Sequence, residues 1–241
     1  MKGIILAGGL GTRLSPLTLA TNKHLLPVYN QCMVFYPIET LLRADIKRIM
    51  IVTGGPHAGH FLRVLGDGKK LGIEHLDYTY QETEGGIADA LGLCEKYADG
   101  EPVTVVLGDN ITDADIGPAV RAFRGGAHIF LKRVANPERF GVPVFDDFDP
   151  KHIIGIEEKP AHPLSDYAVT GIYIYDAKVF DYIRRLQPSG RGELEITDVH
   201  NYYLKDGQFT WDELEGEWTD AGTFESLYRA NRLIAEGRHS D

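Results

Sequence analysis

Residues 8–13, Gly8-Gly9-Leu10-Gly11-Thr12-Arg13, follow directly on the apolar run Gly3–Ala7. Missing β-carbons let backbone N–H groups crowd an anion, and Arg13 adds a planar, forked cation, which together make the chemistry of a phosphate cradle. Taken alone, the segment fits equally well a tight strand-to-helix turn with a surface arginine. Two other phosphate motifs fail here. No Gly-x-x-x-x-Gly-Lys-Ser/Thr loop occurs, and Leu14 stands where a dinucleotide fingerprint needs its third glycine. The second apolar run ends Thr53-Gly54-Gly55, without the acid that would hold a ribose, so an NAD-dependent oxidoreductase is a poor fit.

Asp109 stands just past the run Pro102–Leu107, and Asp220 lies in Trp218-Thr219-Asp220-Ala221-Gly222. A carboxylate is a hard oxygen donor of the kind Mg²⁺ accepts, but nothing in the spacing of these two pairs them. An aspartate after a strand also serves as a turn former or helix cap, although Asp113 or Asp115 can fill that part. Glu157-Glu158-Lys159 reads by itself as a solvated ion-pair turn.

These residues are positioned by an alternation of short Ile/Val-rich runs with longer amphipathic stretches, the pattern of an α/β fold. Gly3–Ala7, Arg48–Thr53, Pro102–Leu107 and His128–Val134 are nearly continuous in apolar residues, which predicts central, largely parallel strands covered on both faces. Val34–Arg43, Ile87–Tyr97 and Asp115–Phe123 read as crossover helices, with Pro37 tolerated in a first turn. Beyond Phe140 the strands Gly141–Phe145, Ile153–Glu158 and Val169–Tyr175 predict mixed or antiparallel additions. Helices return at Thr197–Lys205 and Thr223–Glu236. No linker or repeat divides the chain. We therefore expect one domain over 1–241, with a nucleotide-side half of about 1–125 and a substrate-side half of about 126–241.

The chain has 241 residues, 43% of them hydrophobic and 25% charged, the balance of an ordinary globule rather than a disordered chain. Its 35 acidic and 25 basic side chains give a net charge of -10, which removes long-range attraction to nucleic acid or an anionic membrane. Any phosphate must be met locally. Cys32 and Cys94 are too few for a disulfide scaffold and suit a reducing cytoplasm. The apolar stretch near Met1 is too short for a signal-peptide core, and no run approaches the ~18 residues of a membrane span.

Leu6 through Thr18, continued by Asn22-Lys23-His24-Leu25-Leu26-Pro27-Val28-Tyr29, resembles the signature of the sugar-1-phosphate nucleotidyltransferases. Leu107-Gly108-Asp109-Asn110, Glu157-Glu158-Lys159-Pro160, residues 192–198 and Trp218 through Thr223 are similar to the glucose-1-phosphate thymidylyltransferase branch, so the resemblance spans essentially the whole chain. The chain stops soon after Glu236, which resembles the short form without a C-terminal regulatory extension.

This resemblance implies a Rossmann-like three-layer α/β/α fold with a mixed, mainly parallel sheet. It implies Mg²⁺-dependent transfer of a nucleotidyl group from dTTP to glucose 1-phosphate in the cytoplasm. It assigns the nucleotide to Gly8, Gly9, Gly11, Thr12, Arg13, Lys23, Gln81, Gly86 and Asp109, and the sugar to Gly141, Glu158, Lys159, Val169 and Gly171. Arg13, Lys23, Lys159 and Asp109 are the expected catalytic set, Asp109 and Asp220 the expected metal ligands, and Glu193 and Glu195 weaker candidates for the sugar pocket. A side-chain amide at Gln81 offers a donor and an acceptor to a pyrimidine edge, and both thymine and uracil satisfy it. UTP thus stands as the alternative nucleotide, and a silent nucleotide-sugar sensor as the alternative function. Members are commonly homo-oligomers, and Leu227, Ala230 and Ile234 form a helix stripe suited to a subunit contact or, as we expect, to core packing.

Overall fold

The computed structural model describes residues 1–149 and 151–237. In chain order the elements begin with β1 (Lys2–Ala7), a short ribbon of β2 (Pro27–Val28) and β3 (Gln31–Cys32), α1 (Phe35–Arg43), β4 (Arg48–Gly54), α2 (Gly59–Leu65) and β5 (His75–Gln81). There follow α3 (Ile87–Gly92), α4 (Glu95–Ala98), β6 (Val103–Leu107), β7 (Asn110–Thr112), α5 (Gly117–Ala122) and β8 (Ala127–Arg133). The remainder is β9 (Gly141–Phe145), β10 (Ile153–Glu158), β11 (Tyr167–Tyr175), α6 (Lys178–Ile183), α7 (Ile196–Lys205), β12 (Phe209–Glu213), β13 (Trp218–Asp220) and α8 (Phe224–Gly237).

The apolar runs assemble into a sheet of order β12-β8-β11-β6-β1-β4-β5. Pairings β6–β1, β1–β4, β4–β5 and β8–β12 are parallel, whereas β11 runs antiparallel to both β6 and β8. Burial on both faces explains why the central runs do not alternate: Ile4 and Leu6 face one core with Leu91, Val179 and Val199, while Ile5 and Ala7 face the other with Ile38, Leu41 and Phe61. Helices α3, α6 and α7 thus cover one face and α1 and α2 the other, a three-layer α/β/α arrangement.

The stretch expected as one helix over Ile87–Tyr97 is two. The Cys94 N–H bonds to Leu91 O, three residues back, while its thiol takes the Ala90 carbonyl, and this tighter turn ends α3 before α4 begins. Cys94 is buried, and burial pushes its thiol up to about 12, as befits an inert core residue. The stripe on α8 is a core face: Ala230 is fully buried, and Leu227 and Ile234 pack with it against Val28, Met33, Tyr36 and Ile111. No described helix is long and apolar enough to cross a membrane.

Two small ribbons complete the frame. β7 pairs antiparallel with β13, setting Asp220 opposite Asn110, and β9 pairs with β10, setting Glu158 opposite Gly141.

Candidate active site

Parallel strands deliver their C-terminal ends to one edge, where an open α/β sheet leaves a crevice. Here β1 ends in the glycine segment, β6 leads to Asp109 and β5 ends at Gln81, and the reversed β11 brings Val169 and Gly171 to the same edge. The resulting cleft has a volume of about 460 Å³. The expected site residues line it except Gly11, which lies behind Lys23, and the weaker candidate Glu195. A β-carbon at Gly11, where φ is +68°, would come within 2.7 Å of Lys23 Cβ, so the glycine lets the loop rest directly on the lysine stem.

Lys23 is held by a short 3₁₀ turn, Lys23–Leu25, that Asn22 caps by accepting the His24 N–H at 2.9 Å. Its ammonium donates to Asp109 Oδ2 at 2.6 Å, with both side chains about seven-eighths buried. Burial by itself raises the Asp109 carboxyl, but the Lys23 charge and the hydrogen bonds from Lys23 and Asn110 outweigh it and hold the group well below the usual carboxylate range. Asn110 is the joint of this wall. It donates to Asp109 Oδ1 at 3.1 Å and accepts the Gly171 N–H at 2.9 Å and the Trp218 indole N–H at 2.7 Å.

Asp220 reaches the same place from β13, where the Ala221 N–H also bonds the Asp109 carbonyl at 2.8 Å. A single point beside Gly222 lies 3.4 Å from Asp220 Oδ2, 3.5 Å from Asp109 Oδ2 and 3.1 Å from Arg13 Nη2, so two carboxylates and a guanidinium converge. Burial first, and the Asp109 charge second, raise the Asp220 carboxyl against the pull of Arg139, Arg13 and Lys23. Two acids pressed together with opposed shifts are a site suited to a divalent cation, whose charge relieves both the burial and the repulsion. Among the described residues no cluster of three or more His, Cys, Asp or Glu surrounds such an ion, so further ligands would come from water and phosphate.

On the opposite wall Glu158 accepts from Thr197 Oγ1 at 2.5 Å, and Lys159 Nζ and Arg191 Nη2 lie 3.4 and 3.2 Å from its other oxygen. Lys159 has φ of +46°, a left-handed conformation uncommon for a side-chain-bearing residue, and its N–H is anchored to Phe140 O at 2.9 Å. Glu193 lines the cleft, whereas Glu195 is turned away to Arg191 at 2.8 Å and Ser189 at 2.7 Å. Arg139, bonded to Asp220 at 2.9 Å, and Arg191 were not anticipated from sequence. Each is a lone basic residue, Arg139 closing a short 3₁₀ turn and Arg191 in a loop, and only their carboxylate partners in the fold reveal them. Glu84, which accepts the Leu10 N–H at 3.0 Å and so pins the glycine loop, is a third.

Comparison with known proteins identifies the family. The family model for nucleotidyl transferases matches residues 2–237. A glucose-1-phosphate thymidylyltransferase of an Actinoplanes species is 43% identical over 99% of this chain and 80% of its own length, and that of Neisseria meningitidis is 43% identical over 97% and 82%. A Bacillus anthracis protein described as a glucose-1-phosphate thymidylyltransferase, crystallised with sucrose, superposes with a TM-score of 0.91 at 52% identity, covering 97% of this chain and 94% of that one. A UDP-glucose pyrophosphorylase complexed with UDP-glucose shares the fold at a TM-score of 0.85 and 22% identity, over 98% of both chains. From the glycine loop to α8, the chain belongs to the nucleotidyl transferase family.

Proposed function

We propose that the cleft joins dTTP to glucose 1-phosphate, giving dTDP-glucose and pyrophosphate. The observation that carries the reading is the convergence of Asp109 Oδ2, Asp220 Oδ2 and Arg13 on one point, with Lys23 bonded to Asp109. A phosphate monoester with a second pKa near ~6 is mostly dianionic at neutral pH, so its oxygen attacks the α-phosphorus without a general base. The obstacle is repulsion between two anions, and alignment with charge neutralisation is what this set of groups supplies. Asp109 and Asp220 would hold Mg²⁺, which when bound neutralises triphosphate charge. Lys23 would meet the α-phosphate, and Arg13 would stabilise the departing pyrophosphate.

The half over about 1–125 takes the nucleotide, with Gly8, Gly9, Gly11 and Thr12 around the phosphates and Gln81 and Gly86 at the base. The half over about 126–241 takes the sugar, with Gly141, Val169 and Gly171 against the hexose, Glu158 on its hydroxyls and Lys159 on its phosphate. The relatives' names support dTTP and glucose 1-phosphate as the pair, and the net charge of -10 speaks against nucleic acid or membrane partners.

The test is pyrophosphate release from Mg²⁺, dTTP and glucose 1-phosphate, with UTP in parallel. Asp109→Asn and Asp220→Asn each should lose at least about 10²-fold in kcat while keeping the wild-type far-UV spectrum. Full turnover by either variant removes that residue's metal role, and tight binding without release by the wild type points to a silent sensor.

A further inference from the structure

We infer that Asp89 is a specificity-determining residue that fixes the amide of Gln81 so that only its oxygen meets the base; the inference rests on the base lying at the Gly8–Gln81 end of the cleft. Gln81 closes β5, and its side chain is buried, at 8% exposure, beside the glycine loop. Its nitrogen donates to Asp89 Oδ2 at 2.7 Å and to Gly86 O at 3.3 Å. An amide nitrogen carries two hydrogens, and both are used. A carboxylate accepts only, so turning the amide over would set its one oxygen against two acceptors, Asp89 Oδ2 and Gly86 O. Asp89 cannot give way easily either: a β-carbon at Gly85 would lie 2.6 Å from its Cγ, which shows how closely it is wedged against the backbone there.

Gln81 Oε1 is left facing Gly8, 2.6 Å from where a β-carbon on that glycine would sit. Both Gly8 and Gln81 line the cleft. The side-chain amide therefore presents an acceptor, not the donor-acceptor pair expected from the sequence. An acceptor matches the N3–H of thymine or uracil and opposes the bare N3 lone pair of cytosine. Discrimination among pyrimidines at this position follows from a residue eight positions on, in the first turn of α3, rather than from Gln81 itself.

Asp89→Asn tests this, because an asparagine can donate as well as accept and frees the Gln81 amide to turn over. Binding of dTTP and dCTP in the presence of Mg²⁺ is measured by calorimetry for wild type, Asp89→Asn and Asp89→Glu. Wild type should prefer dTTP. Asp89→Asn should narrow the dTTP-to-dCTP ratio by about tenfold, the worth of one hydrogen bond, and Asp89→Glu, which remains an acceptor, should keep more of the preference. An unchanged ratio in Asp89→Asn, or equal losses in both variants, overturns the assignment. Turnover is assayed separately. Wild type that selects dTTP but releases no pyrophosphate refutes the transfer reaction and leaves the base-selecting role of Asp89 standing, whereas an active enzyme with an unmoved ratio refutes Asp89 alone.

Discussion

Replacing Lys23 with methionine removes the ammonium 2.6 Å from Asp109 Oδ2 while keeping most of the stem that packs on Gly11. The two side chains are 14% and 13% exposed, so Asp109 is left as a nearly buried charge without its partner. Breaking such a pair costs about 3–5 kcal/mol when fully buried, and the open cleft places this one near the lower end, at about 3 kcal/mol. Asp109→Asn should cost less, because the flexible lysine can swing into the cleft. In the double variant neither charge is stranded, and its destabilisation should fall short of the summed single losses by about 2 kcal/mol. Urea unfolding of the four proteins gives this coupling, and pyrophosphate release gives activity, which should be lost by about 10³-fold in Lys23→Met and not recovered in the double variant. Additive stability losses, or a Lys23→Met protein as stable as wild type, would refute the pairing as a buried interaction.

His200 offers a pH test away from the cleft. It is fully buried, its Nε2 meets the Tyr175 hydroxyl at 2.5 Å, and burial lowers its pKa from 6.5 to about 3. Below about pH 6.5 the unfolded chain gains a proton that the folded chain refuses, so stability falls as the pH drops toward 3, by about 1.4 kcal/mol per pH unit. His200→Gln should therefore lose about 2 kcal/mol less than wild type between pH 7 and 5 in urea melts; equal losses would contradict the argument. Gly171→Ala would set a methyl 2.5 Å from Asn110 Nδ2 and 2.7 Å from Leu107 Cδ1. It should cost about 1–3 kcal/mol of stability and, because Asn110 orients Asp109, reduce turnover about tenfold or more; wild-type values for both in thermal melts and initial rates would show that the wall can yield.

The central strands were readable because residues such as Ile4, Ile5, Ile49 and Ile51 are buried whichever face they point to, and this leaves an unbroken apolar run. The edges were not. β5 reads His-Leu-Asp-Tyr-Thr-Tyr-Gln and β12 reads Phe-Thr-Trp-Asp-Glu, since each borders only one neighbour and keeps one side to solvent. The short helices α2 and α6 carry too few turns for a period to emerge. In the cleft, residues embedded in extended motifs could be picked out in advance. Arg139 and Arg191 could not, because a solitary arginine carries no spacing signal. Gln81 meets the same limit: composition tells what an amide offers, and only its neighbours, here Asp89 and Gly86 O, tell how it is held.

The β7–β13 ribbon couples the order of synthesis to competence. Asp109 follows a strand that pairs on one side with β1 from the start of the chain, but its fellow acid arrives on a strand more than a hundred residues later, at Trp218–Asp220. A nascent chain still lacking that strand has the glycine loop, Lys23 and one acid, yet no second carboxylate beside them. Such a chain has no equipped place for the transfer proposed above. Activity should therefore appear late and abruptly as the protein emerges from the ribosome, however early its sheet begins to form.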